Sequence, residues 1–289
     1  MNNEDEIQRI LFDDVDVRGV VTSLDQSYQD VIALHQYPAV IEQILGQMLA
    51  AVTILSTNIK FNGKLILQAK GEGSVTMLMA ECNHLNHCRA IAQFDESLVT
   101  NLSFKQMLHK GHLVITIEPE VGQRYQGYVP LENETLAECL ADYFQRSEQL
   151  ASKFVLACDG IKARGLMLQV MPAMQTGQDD WSRLSLLADT LSVSELLSLD
   201  NETLLFRLFH EEKCRLFTAE NIQFKCQCSR ERSENALKLL GREELLEIIA
   251  EREIIDIDCQ FCNTKYSFNA EDVTAIIQVK AKETSAALH

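Results

Sequence analysis

The stretch AVIEQILGQMLAAVTIL, residues Ala39–Leu55, decides how the rest of the chain is read. It is the longest apolar-looking run, and about 20 predominantly apolar residues would be needed to span a bilayer. Glu42, Gln43 and Gln47 interrupt it before that length is reached. Pro38 suits the first turn of a helix, where its missing N–H costs nothing. Val40, Ile41, Ile44, Leu45, Met48 and Leu49 then recur at helical spacing. The stretch reads as a helix buried in a protein core, and no membrane partner is expected.

Outward from this helix, strand-like runs bounded by Gly, Asn, Asp or Pro occupy residues 17–23, 62–71, 73–82, 111–120, 153–159 and 164–172. A second helix over 134–150 places Leu136, Leu140 and Tyr143 on one face. The strands come in runs without regular βαβ alternation, so the fold class is α+β, with an N-terminal mixed core domain over 1–174. Over 175–216 the texture changes to short amphipathic helices. Trp181, Leu184, Leu187, Ala188 and Leu191 share one face, Ser192 with Glu195 forms a capping box, and Asp200 caps a helix bearing Leu204, Leu205, Leu208 and Phe209. Helices this short are marginal alone, so the segment reads as a metastable helical linker that needs a surface to lie on. A third unit over 217–289 contains a helix ending at Gly241 as its C-cap and a second helix bearing Leu245, Leu246, Ile248 and Ile249. So small a unit buries only a modest core and calls for a staple.

The formal net charge of −16 opposes binding to phosphate backbones and anionic lipid. The acidic N-terminus has no basic and apolar signal segment, so a cytoplasmic location is expected. Nine cysteines, an odd number scattered through the chain, do not read as a secreted disulfide framework. They are expected to be thiols or metal ligands.

FKCQCSRER, residues 224–232, and DCQFCNTKY, residues 258–266, supply the staple. Cys226, Cys228, Cys259 and Cys262 form two close-spaced pairs, the pattern that offers four thiolates to one tetrahedral zinc ion. The turn-prone Asn263 and the aromatic Tyr266 and Phe268 place CQFC as a knuckle within a β-hairpin. Apparent zinc-binding energies of about 10 to 16 kcal/mol exceed what a small apolar core supplies, so losing the metal would melt the unit. Thiolates of this kind can also be oxidised, and each has a partner sulfur two or three residues away. Oxidation could therefore unfold the C-terminal unit, together with any linker that docks on it.

At these residues the chain resembles the 33-kDa heat-shock protein family of bacterial redox-regulated chaperones. YPAVIEQILGQMLAAVTIL, RYQGYVPLENETLAECLADYFQRSEQL and LMLQVMPA resemble core-domain segments of that family, LLFRLFHEE its linker, and FKCQCSRER and CQFCNTKYSFNAEDV the halves of its zinc redox centre. The resemblance implies a non-enzymatic, ATP-independent holdase with one zinc per chain when reduced. It implies activation by oxidants, with disulfides joining Cys226 to Cys228 and Cys259 to Cys262, zinc release and loosening of the linker. It further implies that active homodimers capture unfolding client proteins and pass them to ATP-dependent chaperones. Cys82, Cys88, Cys139, Cys158 and Cys214 lie outside the family's redox motif, and their part in redox chemistry stays open.

Two other functions compete. A zinc-stapled nucleic-acid-binding protein would use Lys225, Arg230, Arg232 and Lys265, but Glu234, Glu243, Glu244, Glu247, Glu251 and Glu253 leave no basic stripe. A thiol oxidoreductase would need CQFC in a thioredoxin-like βαβ setting, and the surrounding sequence has none. Cys82, His84, His87 and Cys88 resemble a second metal set, but between two strands they read as a polar connection. His109 and His112 read as surface turn residues, Cys139 as a buried thiol, and Asp13, Asp14 and Asp16 as a solvated N-terminal arm.

Overall fold

The computed structural model describes residues 5–57, 60, 62–96, 102–171 and 178–286. Strands β1 (Glu6–Phe12) and β2 (Val17–Leu24) open the chain, and α1 (Gln26–Ile32) leads into α2 (Ala39–Ser56). The middle segment then forms β3 (Gly63–Lys70), β4 (Val75–Asn83), β5 (His87–Phe94), α3 (Phe104–Leu108), β6 (His112–Pro119) and β7 (Tyr125–Pro130). After α4 (Leu136–Tyr143), one π turn at Phe144–Glu148 ends the expected second helix early. Strands β8 (Ser152–Cys158) and β9 (Ala163–Val170) follow. The architecture is α+β.

Two sheets result. The first runs β10-β1-β2-β9-β8, where β10 is Cys214–Leu216, and β11 (Glu220–Asn221) also pairs with β1. The second runs β12-β5-β4-β3-β6-β7, antiparallel except where β12 (Gln223–Phe224) lies parallel to β5. Helix α2 packs on strands of both sheets, which is why it is apolar nearly all round. It is long and apolar enough to cross a membrane by composition, yet 72% of it is buried inside the protein. Gly46 makes the packing possible: a Cβ there would meet the Cys158 sulfur at 2.4 Å.

The short helices α5 (Gln178–Asp189), α6 (Val193–Ser198) and α7 (Asn201–Phe209) have the caps and faces expected of them. Ser192 and Glu195 complete a capping box, and Asp200 accepts a hydrogen bond from the Thr203 N–H at 2.8 Å. The surface they lie on is the first sheet. Leu184, Leu196 and Leu204 are 0% exposed and share a core with Ile10, Phe12, Val17, Val21, Leu166 and Leu168. Burying each such leucine contributes about 2 kcal/mol relative to leaving it in water, which offsets the poor intrinsic stability of these helices.

Asp13, Asp14 and Asp16 do not lie on an N-terminal arm but in the connection between two paired strands. Residues Glu6–Phe12 are strand β1, and Asp13 and Asp14, in the β1–β2 connection, pair with Arg215 at 2.7 Å and Lys213 at 2.9 Å. His112 likewise begins strand β6, where its ring stacks on Tyr128.

The chain divides into two compact units, Met1–Lys225 and Cys226–His289; the expected boundary at 174/175 lies outside the described residues. The second unit contains α8 (Arg230–Leu237), α9 (Arg242–Arg252), the β13 (Ile254–Asp258) and β14 (Lys265–Asn269) hairpin, and α10 (Ala270–Ala286). Its core consists of Leu237, Leu245, Ile255, Phe268, Val273 and Ile276. Gly241 is not a helix C-cap: its φ of −67° is not left-handed, and it is the N-cap of α9, while α8 ends at Leu237. The left-handed residue that stops a helix here is Glu253, after α9, with φ 61°.

Candidate metal centre

Two turns carry the four C-terminal cysteines. Cys226 and Cys228 lie just before Ser229, whose side chain caps α8 by accepting from the Arg232 N–H at 3.2 Å. Cys259 and Cys262 lie in the turn between β13 and β14. The Asn263 N–H donates to the Cys259 carbonyl at 2.8 Å, the Cys259 N–H to Thr264 at 2.9 Å, and Asn263 takes the left-handed φ of 57° that the tight turn demands.

The four sulfurs lie within 4.8 Å of one another. Cys226 Sγ is 3.7 Å from Cys259 Sγ, and Cys228 Sγ is 3.4 Å from Cys262 Sγ. A tetrahedral site with metal–sulfur bonds of about 2.3 Å needs sulfurs about 3.8 Å apart, so the donors fit one ion. An all-sulfur set suits zinc and other thiophilic metals and disfavours calcium or magnesium. All four are free thiols and only partly buried, so reagents can reach them.

Neighbouring groups set their reactivity. Desolvation pushes Cys262 upward, but bonds from the Thr264 hydroxyl and N–H and from the Cys228 and Cys226 thiols outweigh it and bring its pKa to about 7. Desolvation holds Cys259 above the usual thiol range. The Tyr266 hydroxyl donates to Cys228 Sγ at 3.2 Å, and that bond pushes the phenol up to about 12.

The arginines read as a possible nucleic-acid surface are engaged within the unit. Arg230 lies 4.4 Å over the Phe268 ring, donates to the Ser267 carbonyl at 2.8 Å and pairs with Asp272 at 2.8 Å. Arg232 donates to the Gln227 carbonyl at 2.7 Å, bracing the turn between the first two cysteines. Sequence reasoning missed this bracing and the hydroxyls of Thr264 and Tyr266 on sulfur. The only signal was their nearness to the cysteine pairs.

The other candidate set does not converge. Cys82 and Cys88 are buried in the core, at 1% and 0% exposed, while His84 Nδ1 accepts from the Gly63 N–H at 3.1 Å. Among the described residues, the C-terminal four are the only group of three or more that could hold a metal. Cys139 is a buried thiol whose pKa burial pushes up to about 11.

A family model described as Hsp33 protein matches residues 5–269. The 33 kDa chaperonin of Pseudomonas paraeruginosa is 47% identical over 283 residues, covering 96% of this chain and 95% of the relative. That of Azotobacter vinelandii is 46% identical with the same coverage. In structure, the 33 kDa chaperonin (heat shock protein 33 homolog) of Thermotoga maritima superposes with a TM-score of 0.81 at 22% identity, covering 96% of this chain and 99% of that one.

Proposed function

The chain belongs to the Hsp33 family, and from that premise we propose that it is a redox-regulated, ATP-independent holdase. The observation that carries the proposal is the cluster of four partly buried thiols at tetrahedral spacing. Cys226, Cys228, Cys259 and Cys262 hold one zinc per chain in the reduced state. When bound, the zinc keeps the thiols deprotonated and ties the two turns together.

Oxidation joins Cys226 to Cys228 and Cys259 to Cys262, each disulfide forming from two thiolates that give up two electrons to the oxidant and no longer serve as metal ligands. Both bridges are local to one turn, so neither replaces the sulfur contacts that now run between the turns. The second unit is then held, among the described residues, by a small core of six buried apolar side chains and melts. Functionally the chain falls into a core over 1–174, a linker over 175–216 and a redox-switch domain over 217–289. Loosening of the linker bares its leucines and the sheet face beneath them to unfolding client proteins. The active form is a cytoplasmic homodimer that catalyses no reaction and passes clients to ATP-dependent chaperones.

The test measures zinc release, disulfide mapping and suppression of client aggregation on one sample before and after oxidant. Trypsin leaves Cys226 with Cys228 on one peptide and Cys259 with Cys262 on another, because Lys225, Arg230, Arg252 and Lys265 flank the pairs. Local bridges appear within these peptides, and cross bridges link them. Full antiaggregation activity in the reduced, zinc-loaded protein would overturn the switch.

A further inference from the structure

Cys82 and Cys88 lie outside the metal centre, on β4 and β5, and are direct partners across that antiparallel pair. The other edge of β5 defines the partnership. The Cys88 carbonyl accepts from the Lys225 N–H at 3.2 Å, and Phe224 of the parallel strand β12 lies opposite Cys88. A strand residue aims its N–H and C=O to the same side, so the polar groups of Cys88 face β12 and turn away from β4. Cys82 and Cys88 therefore form a non-hydrogen-bonded antiparallel pair. In such pairs the α-carbons are about 4.5 Å apart and the side chains are at their closest.

A disulfide requires α-carbons about 4.4 to 6.8 Å apart, so this register accepts one without backbone movement. Both side chains also enter the same apolar core. Burial pushes Cys82 up to about 12 and Cys88 well above the usual thiol range, so the folded core keeps both as unreactive thiols. Geometry favours a bridge, while burial withholds it until the hairpin opens.

We propose that Cys82 and Cys88 are a second redox dithiol, which a peroxide converts to a cross-strand disulfide when the β4–β5 hairpin opens to solvent. One thiol loses its proton and attacks the peroxide as the thiolate, breaking the O–O bond and giving a sulfenic acid and hydroxide, which takes up that proton to leave as water. The second thiol attacks that sulfur, forming the S–S bond and releasing another water. The net change is two thiols and one hydrogen peroxide to one disulfide and two waters.

The experiment treats the full chain with hydrogen peroxide, once while fully folded and once near its thermal transition. Each sample is alkylated under denaturing conditions and digested with trypsin. Residues 71–89 form one peptide carrying both cysteines, with no Lys or Arg between them, and the metal-centre cysteines fall on other peptides. The heated sample is expected to yield this peptide unalkylated and two hydrogen masses lighter, and the cool sample to yield it doubly alkylated. Double alkylation after heating, sulfinic acid at either cysteine, or bridges to other peptides would overturn the proposal. An equal bridge in the cool sample would overturn the requirement for opening. In the Cys88→Ser chain the heated peptide is expected to carry sulfenic acid at Cys82 and no bridge. Because the readout is separate from the metal centre, failure here leaves the chaperone switch untouched.

Discussion

Tyr266 shows how much of a metal centre lies beyond its donors. Its hydroxyl donates to Cys228 Sγ at 3.2 Å, and groups in this position orient a ligand and adjust its charge. Tyr266→Phe is expected to weaken zinc binding by about 10-fold, measured by competition with a chelator, while the reduced unit stays folded. A second residue matters in the first unit, where Asn201 opens α7 and is 4% exposed. Its amide donates to Glu6 at 2.8 Å and to Gln8 at 2.5 Å, and its oxygen accepts from the buried guanidinium of Arg164. Removing a buried hydrogen-bonding group costs about 1 to 3 kcal/mol. Asn201→Ala is therefore expected to lower the free energy of local opening by about that amount, read as faster amide exchange over 193–209, and to raise antiaggregation activity before any oxidant is added.

Among the elements, the linker helices depend on their caps. Hydrogen bonds from the Ser192 hydroxyl and N–H hold Glu195 below its usual value of 4.5, and bonds from Thr203 hold Asp200 below its usual 3.8. Depressed carboxyl groups stabilise the folded state fully above those ordinary values, and the contribution is lost as pH falls through the depressed ones. Amide protection over 193–209 is expected to be intact at about pH 6 and to decline first among the helices packed on the first sheet as acid is added. Asp200→Ala should mimic the acid at neutral pH, costing about 1 kcal/mol. In the second unit, Gly241 is an N-cap, and a Cβ there meets nothing within 4 Å. Gly241→Ser is expected to raise the stability of that unit by a few tenths of a kcal/mol in urea unfolding. A left-handed C-cap glycine would instead lose about 1 kcal/mol on the same change.

For the whole molecule, the two units differ in what holds them. The first encloses α2 between two six-stranded sheets, whereas the second has, among the described residues, a core of six buried side chains beside its thiol cluster. Removing zinc with a chelator under reducing conditions is expected to abolish amide protection over 230–276 and leave β2, β9 and α2 protected, measured by hydrogen exchange. The cysteine pairs, the caps of α6 and α7 and the apolar face of α4 were legible because each is a local pattern, set by neighbours within a turn or two. Strand β1 was hidden because its charged flank resembled a tail, and only pairing with β2, β10 and β11 makes it a strand. Gly241 was misassigned because a glycine between two helices fits either cap, and only the backbone angle decides. By itself the sequence determined the α+β class, the buried central helix and the four sulfur donors, all of which follow from residue type and short-range spacing. Tertiary structure alone decided that the linker helices lie on the first sheet, that Tyr266 and Thr264 reach the sulfurs, and that Cys82 faces Cys88. Those facts depend on strand register and on contacts between residues far apart in the chain, which no local pattern records.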